Sequence, residues 1–227
     1  MKTHKYAVIG TGKTGSYAAE ILGSETVTFD EAHPATAELL KGIDMAVIFV
    51  PGSAAEEVLE VVFDAGTDAV WGTTGFNWPT DLGERLAEKN LRWVTGSNFS
   101  LAMNLVRKSV EVLGRGSSIL KEVGFHIHEI HHTQKQDAPS GTAISWKEWL
   151  GKECKITSAR EGDIKGIHTL HMETPTESVW LKHEAHSRRV FAEGAVWSAK
   201  TLLNDLNLEP GLYTFPELFD KAFTDLL

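Results

Sequence analysis

The fold of this chain is decided by the stretch Tyr6-Ala7-Val8-Ile9-Gly10-Thr11-Gly12-Lys13-Thr14-Gly15. Its apolar first four residues predict a buried strand, and residues 14–22 predict the helix that follows. Between the two elements the glycines are spaced as Gly-x-Gly-x-x-Gly, the pattern that lets a dinucleotide pyrophosphate approach backbone N–H groups. The stretch therefore predicts a nucleotide-binding unit whose phosphates lie at the N-terminus of the first helix.

Each glycine of this pattern has a separate expected role. We expect Gly10 to permit the tight turn, Gly12 to let the phosphates approach, and Gly15 to let the helix pack on the strand. A second predicted strand ends at Asp30, where a carboxylate commonly hydrogen-bonds the adenosine ribose. Glu31 follows, so a 2′-phosphate would meet two carboxylates. We therefore expect NADH to be preferred over NADPH, with Lys13 or His33 as alternative phosphate contacts.

Strands and helices alternate over the first hundred residues. Apolar strands are predicted at residues 6–9, 27–29, 45–50, 69–71 and 93–95, and helices at 14–22, 54–63 and 82–89. This alternation predicts an α/β, Rossmann-like doubly wound parallel sheet. Small residues follow the fourth and fifth strands, where a nicotinamide ring would bind. The predicted cofactor-binding residues are Gly10, Thr11, Gly12, Lys13, Thr14, Gly15, Asp30, Gly72, Thr73, Thr74, Gly96, Ser97, Asn98 and Phe99.

The sequence changes character near residue 100. A helix is predicted at 101–113, followed by long alternating strands at 121–132, 164–174 and 178–185 that we expect to be antiparallel. A helix at 190–203 and a short closing element at 212–219 complete the chain. We expect a dinucleotide-binding domain of residues 1–100 and 191–227. Residues 101–190 would form a smaller α+β domain, with a mixed or antiparallel sheet, for substrate binding and oligomerisation.

A polar run within the smaller domain carries the candidate chemistry. It reads His128-Glu129-Ile130-His131-His132-Thr133-Gln134-Lys135-Gln136-Asp137-Ala138-Pro139-Ser140-Gly141. By strand alternation Glu129 and His131 share a face with Ile127, Lys135 lies in a loop, and a helix begins near Ser140. Free N–H groups at a helix start favour a carboxylate. The run therefore predicts proton donors beside an anion site, while His126 and His128 are assigned to the scaffold.

Composition narrows the class of protein. The formal net charge of −9 argues against a nucleic-acid binder, which needs a basic face. Cys154 is the single cysteine, so we expect neither an intrachain disulfide nor a cysteine-based metal site, and a reducing cytoplasm fits. We expect no signal peptide, no membrane span and no metal site.

Several segments together resemble 4-hydroxy-tetrahydrodipicolinate reductase, also called dihydrodipicolinate reductase, a family of lysine and diaminopimelate biosynthesis. The central match is His131-His132-x-x-Lys135-x-Asp137-Ala138-Pro139-Ser140-Gly141-Thr142-Ala143. Further matches are Gly72 to Phe76, Asn98-Phe99, Gly166-x-His168-Thr169 and Ser187-Arg188-x-x-Phe191-Ala192-x-Gly194-Ala195. The segment Ile48-Phe49-Val50-Pro51 departs from the family's Asp-Phe-Thr, and one cofactor hydroxyl is missing there.

The resemblance implies a reaction and roles for individual residues. It implies hydride transfer from NADH or NADPH to a cyclic imine dicarboxylate, giving tetrahydrodipicolinate, in a cytoplasmic homotetramer. The implied catalytic residues are His131 and Lys135. The implied substrate-binding residues are His132, Ser140, Gly141, Thr142 and Arg188.

Two other functions stay open at this point. One is a related NAD-dependent dehydrogenase acting on another amino dicarboxylate, such as an aspartate dehydrogenase. The other is a non-catalytic redox sensor that binds NADH and reports to a partner. Neither accounts for the run from Asp137 to Thr142, and a sensor would need no His131–Lys135 pair.

Overall fold

The computed structural model describes residues 4–204 and 208–224. The elements are β1 Tyr6–Ile9, α1 Gly15–Leu22, β2 Val27–Phe29, β3 Met45–Ile48, α2 Ala55–Ala65, β4 Asp68–Trp71, α3 Leu82–Glu88, β5 Arg92–Thr95, α4 Leu101–Gly116, β6 Gly124–His131, α5 Gly141–Leu150, β7 Lys155–Arg160, β8 Ile167–Glu173, β9 Ser178–Glu184, α6 Arg189–Asn204, β10 Gly211–Thr214 and α7 Phe215–Thr224. Short 3₁₀ turns occupy Gly52–Ala54 and Ser117–Ile119. The chain divides into two compact units, Met1–Ser100 with Arg188–Leu227, and Leu101–Ser187.

The first unit is built on a six-stranded sheet in the order β10-β5-β4-β3-β1-β2, with every pair parallel. All residues of β3 and β4 are buried, as expected of parallel strands covered on both faces. The strand order reverses between β1 and β3, and ligands of such sheets bind at the carboxyl ends of the strands there. The predicted doubly wound α/β class is confirmed.

The second unit contains a four-stranded sheet in the order β7-β6-β8-β9. β6, β8 and β9 are antiparallel, as predicted, and β7 runs parallel to β6, so the sheet is mixed. Helices α4 and α5 pack on one face of this sheet. The core between these helices and the sheet consists of Met103, Val110, Ile127, Ala143, Trp146, Leu150 and Leu170.

Burial along β6 follows the predicted period of two. Ile127, Glu129 and His131 are buried, whereas His126 and His128 lie half-buried on the opposite face. The inner face therefore changes from apolar to ionisable within one strand. This change places a carboxylate and an imidazole at the end of the domain core.

Three elements differ from the sequence prediction. The third strand ends at Ile48 rather than residue 50, because the chain turns at Phe49 and Pro51 cannot donate a ladder hydrogen bond. The closing element is two elements, β10 and α7. β7 was not predicted, since its sequence Lys-Ile-Thr-Ser-Ala-Arg is largely polar and gives no clear alternation.

Of the helices that the structure describes, none is both long enough and apolar enough to span a lipid bilayer.

Candidate functional site

The glycine loop of the first unit is tightly packed at Gly10 and Gly15 and open at Gly12. Gly10 has a φ of 90°, and a Cβ there would lie 2.4 Å from the Phe49 carbonyl oxygen. A Cβ on Gly15 would lie 1.8 Å from the Gly10 oxygen, so glycine is required where α1 packs on β1. Gly12 in contrast faces open space, with no atom within 4 Å of a built Cβ. These observations fit the three predicted glycine roles and leave Gly12 free for the ligand.

Asp30 lies beside this loop at the end of β2. Its carboxylate accepts hydrogen bonds from the backbone N–H groups of Ala32 and His33, both at 3.0 Å, and from Thr11 Oγ1 at 3.4 Å. The backbone hydrogen bond from His33 is the main cause that holds the pKa of Asp30 below its ordinary value. The carboxylate is thus held by three hydrogen bonds and is exposed, as the predicted role of accepting hydrogen bonds from ribose hydroxyls requires.

A cavity of about 290 Å³ opens at the carboxyl ends of β1, β3 and β4. It is lined by Gly12, Lys13, Thr14, Gly15, Phe49, Val50, Pro51, Gly72, Thr74 and Arg188. Seven of the residues predicted to bind ligands therefore share one concave surface. Among them is Arg188, which the resemblance places on the substrate and which lines this cavity together with Lys13.

The other predicted cofactor residues lie at the ends of β4 and β5. Thr73 is buried, and its hydroxyl donates to the Val50 carbonyl at 3.0 Å. Phe99 is also buried, with its ring centroid 4.7 Å from that of Phe215 and its backbone against Gly194. Asn98 accepts a hydrogen bond from the Ser100 N–H at 2.9 Å. These side chains shape the loops, so a contact from Thr73 or Phe99 to a cofactor would come from the backbone.

In the second unit, His131 is held by a buried carboxylate. Glu129 has no exposed surface; one of its oxygens accepts from His131 Nδ1 and the other from Arg160 Nη1, the latter at 3.0 Å. An ionised carboxylate can only accept, so Nδ1 carries a proton and a neutral ring leaves Nε2 unprotonated. A Cβ on Gly166 would lie 3.0 Å from that Nε2. A side chain at position 166 would therefore crowd this nitrogen.

At both Glu129 and His131, burial and the interaction with the other residue shift the pKa in opposite directions. Burial would raise the pKa of Glu129, but hydrogen bonds from Ser158, His131 and Arg160 outweigh it and hold that pKa below its ordinary value. Burial lowers the pKa of His131, and the cations of Lys135 and Arg160 add to this effect against the opposing effect of Glu129. At neutral pH the pair is therefore a carboxylate and a neutral imidazole.

Lys135 lies in the loop after β6, as predicted. Its Nζ is 2.8 Å from Asp137 Oδ1, and the lysine side chain is one-quarter exposed. The interaction with Lys135 is the main cause that keeps the pKa of Asp137 low. The lysine thus carries an internal counterion that a substrate carboxylate could replace.

The start of α5 is the segment where we expect an anion to bind. Ser140 is the N-cap: its Oγ accepts from the Ala143 N–H at 3.3 Å and lies 3.2 Å from His168 Nε2. Gly141 and Thr142 begin the helix, where the first N–H groups have no intrahelical acceptor. Thr142 and His132 are both partly exposed.

His168 packs between the two parts of this site. Its ring centroid is 5.0 Å from that of His131 and 5.8 Å from that of Trp146. Burial, followed by the nearby His131, lowers the pKa of His168 to about 4, so the ring is neutral. Potential ligand atoms of Glu129, His131 and His168 lie within 4.8 Å of one another. The guanidinium of Arg160, already bonded to Glu129, would oppose a metal cation there.

Sequence reasoning missed three residues of this site: Glu129, Arg160 and His168. The alternation of β6 did place Glu129 on the face of His131, and His168 lies in a motif that carried the resemblance. Arg160 had no local signal, because it is 31 residues from Glu129 in sequence and lies on a strand that was not predicted.

This chain is similar to known proteins in both sequence and fold. Residues 100–219 match the family model described as dihydrodipicolinate reductase, C-terminus. The chain is 33% identical over 199 residues to 4-hydroxy-tetrahydrodipicolinate reductase of Alkaliphilus oremlandii, covering 78% of this chain and 80% of the relative. It is 40% identical over 135 residues to the enzyme of that name from Thermosipho africanus, covering 60% of this chain and 59% of that relative.

A solved structure shows the same fold over most of the chain. It is a dipicolinate-bound dihydrodipicolinate reductase from Paenisporosarcina sp. TG-14, with a TM-score of 0.71 and 16% sequence identity. The match covers 94% of this chain and 98% of the other. At this identity the likeness concerns the fold alone.

Proposed function

The chain belongs to the dihydrodipicolinate reductase family. We infer that it is an oxidoreductase that converts 4-hydroxy-tetrahydrodipicolinate to tetrahydrodipicolinate: the 4-hydroxyl leaves as water, and the ring takes up a hydride and a proton. This reaction places it in lysine and diaminopimelate biosynthesis. The observation that carries the inference is the cluster of His131, Lys135 and the α5 start within one compact unit. It offers proton donors beside an anion site, as reduction of an imine dicarboxylate requires.

The first unit would hold the nicotinamide cofactor. The open face of Gly12 and the cavity around it fit a pyrophosphate, with Lys13 and Arg188 as cations beside it. Asp30 would accept the hydroxyls of the adenosine ribose. When bound, the reduced cofactor supplies the hydride. Because Glu31 follows Asp30, two carboxylates would face a 2′-phosphate, so we propose that NADH is preferred over NADPH.

The second unit would bind the dicarboxylate and move the proton. One substrate carboxylate would accept from the Thr142 hydroxyl and the N–H groups at the start of α5, with Ser140 beside them. His132 would add a hydrogen bond or charge. Lys135 is cationic and would donate the proton that the reduced ring needs, while neutral His131 would accept and return protons through Nε2.

We also propose a homotetramer formed through the open face of the mixed sheet. That face carries Trp180, which is 66% exposed and stacks on His171 with a centroid distance of 3.9 Å. Thr157 joins His126 and His128 on the same face, at 2.8 Å to each ring. A sheet with one face covered by helices and a tryptophan on the other is suited to pairing with a second copy. The lone Cys154 fits a cytoplasmic location.

A coupled assay tests the function. Dihydrodipicolinate synthase and its two substrates would generate the imine in the cuvette, and absorbance of NADH would report its reduction. We expect a loss of absorbance that requires both the synthase and this protein. A loss without synthase, upon adding another amino-dicarboxylate precursor, would indicate a different dehydrogenase. NADH binding without turnover would indicate a sensor.

A further inference from the structure

Arg160 makes an unusually large set of contacts around the predicted catalytic residues. It is the last residue of β7 and lies opposite His131 in the parallel ladder with β6. Its Nη1 donates to Glu129 Oε1 at 3.0 Å and to the Ala159 carbonyl at 2.7 Å. Its Nε donates to the Lys135 carbonyl at 3.3 Å, and its Nη2 donates to the carbonyl of Asp137. One guanidinium thus bonds the Glu129 carboxylate, which accepts from His131, and two backbone carbonyls of the loop that carries Lys135.

We propose that Arg160 is the positioning residue of the active site, holding His131 through Glu129 and Lys135 through the backbone of its loop. This proposal rests on the proposed reductase function, because it assumes that His131 and Lys135 act on the substrate. Arg160 itself is not placed on the substrate. Its role is to keep two proton-transfer groups, from a strand and a loop, in one fixed arrangement.

The connection to His131 depends on Glu129. A fully buried carboxylate is stable only when its charge is paired and its lone pairs are occupied. Arg160 occupies one oxygen of Glu129 and thereby leaves the other for His131 Nδ1. This contact selects the tautomer whose Nε2 is free, on the side kept open by Gly166.

The connection to Lys135 depends on the loop backbone. The carbonyls of Lys135 and Asp137 both accept from Arg160, so the segment between them is fixed at two points. Asp137 in turn pairs with the Lys135 ammonium at 2.8 Å. Releasing the two carbonyls would let the lysine and its counterion move together, away from the substrate.

A lysine at position 160 could not replace the arginine. The guanidinium offers five N–H donors in a planar fork, and here they diverge toward Glu129, the loop and the strand. An ammonium keeps the charge near Glu129 but cannot reach all of these acceptors. The variant Arg160→Lys therefore separates the positioning role from the charge.

The experiment compares turnover of the full-length protein in the coupled assay for wild type, Arg160→Lys, Lys135→Ala and the double variant. We expect Arg160→Lys to lower kcat by about 10–100-fold with unchanged NADH affinity, as misplacement of about 1 Å can do. In the Lys135→Ala background the same change should cost clearly less than in wild type, because only the positioning of His131 is then left to lose. Arg115→Lys, on an exposed arginine of α4, is the matched control and should keep wild-type turnover.

A second measurement does not depend on activity. The groups that face His131 in the described structure are Glu129, Arg160, His168 and Lys135. Titration of the His131 ring by NMR should give a lower pKa in Glu129→Gln than in wild type, since the carboxylate favours the protonated ring. Even if Arg160→Lys fails to fold, Glu129→Gln still tests the connection from Arg160 to His131 through Glu129.

The outcomes separate the two proposals. Absence of turnover in the wild-type protein would overturn the reductase function, whatever the variants do. With an active wild type, normal kcat in Arg160→Lys, or an equal loss with and without Lys135, would overturn the positioning role. An unchanged His131 titration in Glu129→Gln would overturn the connection through Glu129.

Discussion

Among single residues, Lys135 and Asp137 form an ion pair in the structure. The two groups lie 2.8 Å apart, and Asp137 is more than half exposed. An incoming carboxylate could therefore take the place of Asp137 without leaving the ammonium unpaired. The exchanged partners carry the same charge, so the ion pair would be replaced by an equivalent one.

Replacing Lys135 with alanine tests its role as proton donor. The variant lacks both a cation and a proton source, so we expect kcat to fall by roughly 10²–10⁴-fold. Affinity for NADH should not change, because the cofactor residues lie in the other unit. Steady-state turnover and fluorescence titration with NADH measure the two quantities. Lys152→Ala, an exposed lysine of the same unit, is the control, and near-normal turnover of Lys135→Ala at saturating substrate would contradict the assignment.

Glu31 offers a test of cofactor choice. In wild type we expect a higher kcat/KM with NADH than with NADPH, because Asp30 and Glu31 would repel a 2′-phosphate. Glu31→Arg replaces one of these charges with a cation that can bond a phosphate, so the preference should narrow or reverse. Measuring kcat/KM with NADH and with NADPH, for wild type and Glu31→Arg, tests this prediction. A several-fold preference of the wild-type protein for NADPH would show the prediction to be wrong.

Residues of one local motif were predictable, and partners distant in sequence were not. His131, Lys135 and Ser140 lie within ten residues, so the motif alone put them on a strand end, a loop and a helix start. Arg160 and His168 reach the same site from other strands, through a pairing register that only the folded sheet defines. Arg188 was expected on substrate from resemblance, yet it lines the glycine-loop cavity.

At the scale of elements, the start of α5 combines three features that favour an anion. Ser140 caps the helix through Ala143, the first N–H groups have no intrahelical acceptor, and the helix dipole places partial positive charge there. Trp146 and Leu150, buried on the same helix, anchor it to the sheet. The core of the second unit therefore holds in place the helix start where we expect the anion.

Thr142→Val tests this anion site with the inhibitor pyridine-2,6-dicarboxylate. The variant keeps the shape of the side chain and removes a hydrogen bond to a charged group, worth about 1.5–3 kcal/mol. The dissociation constant should rise by roughly 10–150-fold, as calorimetry would measure. Thr142→Ser keeps the hydroxyl and should bind nearly as tightly as wild type. Equal affinity of the valine variant and wild type would remove Thr142 from the site.

Elements with a strong apolar pattern were predicted to within a few residues, and weakly patterned ones were not. The buried runs of β1 and β3 left no alternative to a parallel strand. β7 pairs on one edge only, and none of its residues is fully buried. Its stability comes from the ladder with β6 rather than from its own apolar residues, so its sequence carries little information about it.

At the scale of the whole molecule, each unit has its own sheet and its own expected ligand. The sheet of the second unit presents an open face with Trp180 and His171 stacked at its surface. Its strands β8 and β9 run antiparallel along seven paired residues, which gives a broad and regular surface. Such a surface suits the symmetric pairing of copies that we propose.

Trp180→Glu tests the proposed tetramer. A carboxylate in place of an exposed indole would bring like charges together at a symmetric contact and remove apolar area from it. We expect a shift from tetramer to smaller species, measured by sedimentation velocity. Ile119→Glu introduces the same charge at an 86% exposed position in the second unit and should leave the assembly unchanged. A wild-type monomer, or an intact tetramer of Trp180→Glu, would contradict the proposed interface.

The late position of β10 in the chain has a consequence for synthesis on the ribosome. β10 completes the first sheet by pairing with β5, yet 115 residues separate Thr95 from Gly211. At about 5–20 residues per second, the edge of β5 would stay unpaired for roughly 6–23 s while the second unit emerges. Helix α6, whose Gly194 packs against the Phe99 carbonyl, is also synthesised only after the second unit. The second unit would thus be completely synthesised before the first. During that interval the unpaired edge of β5 would have to be protected from pairing with another chain.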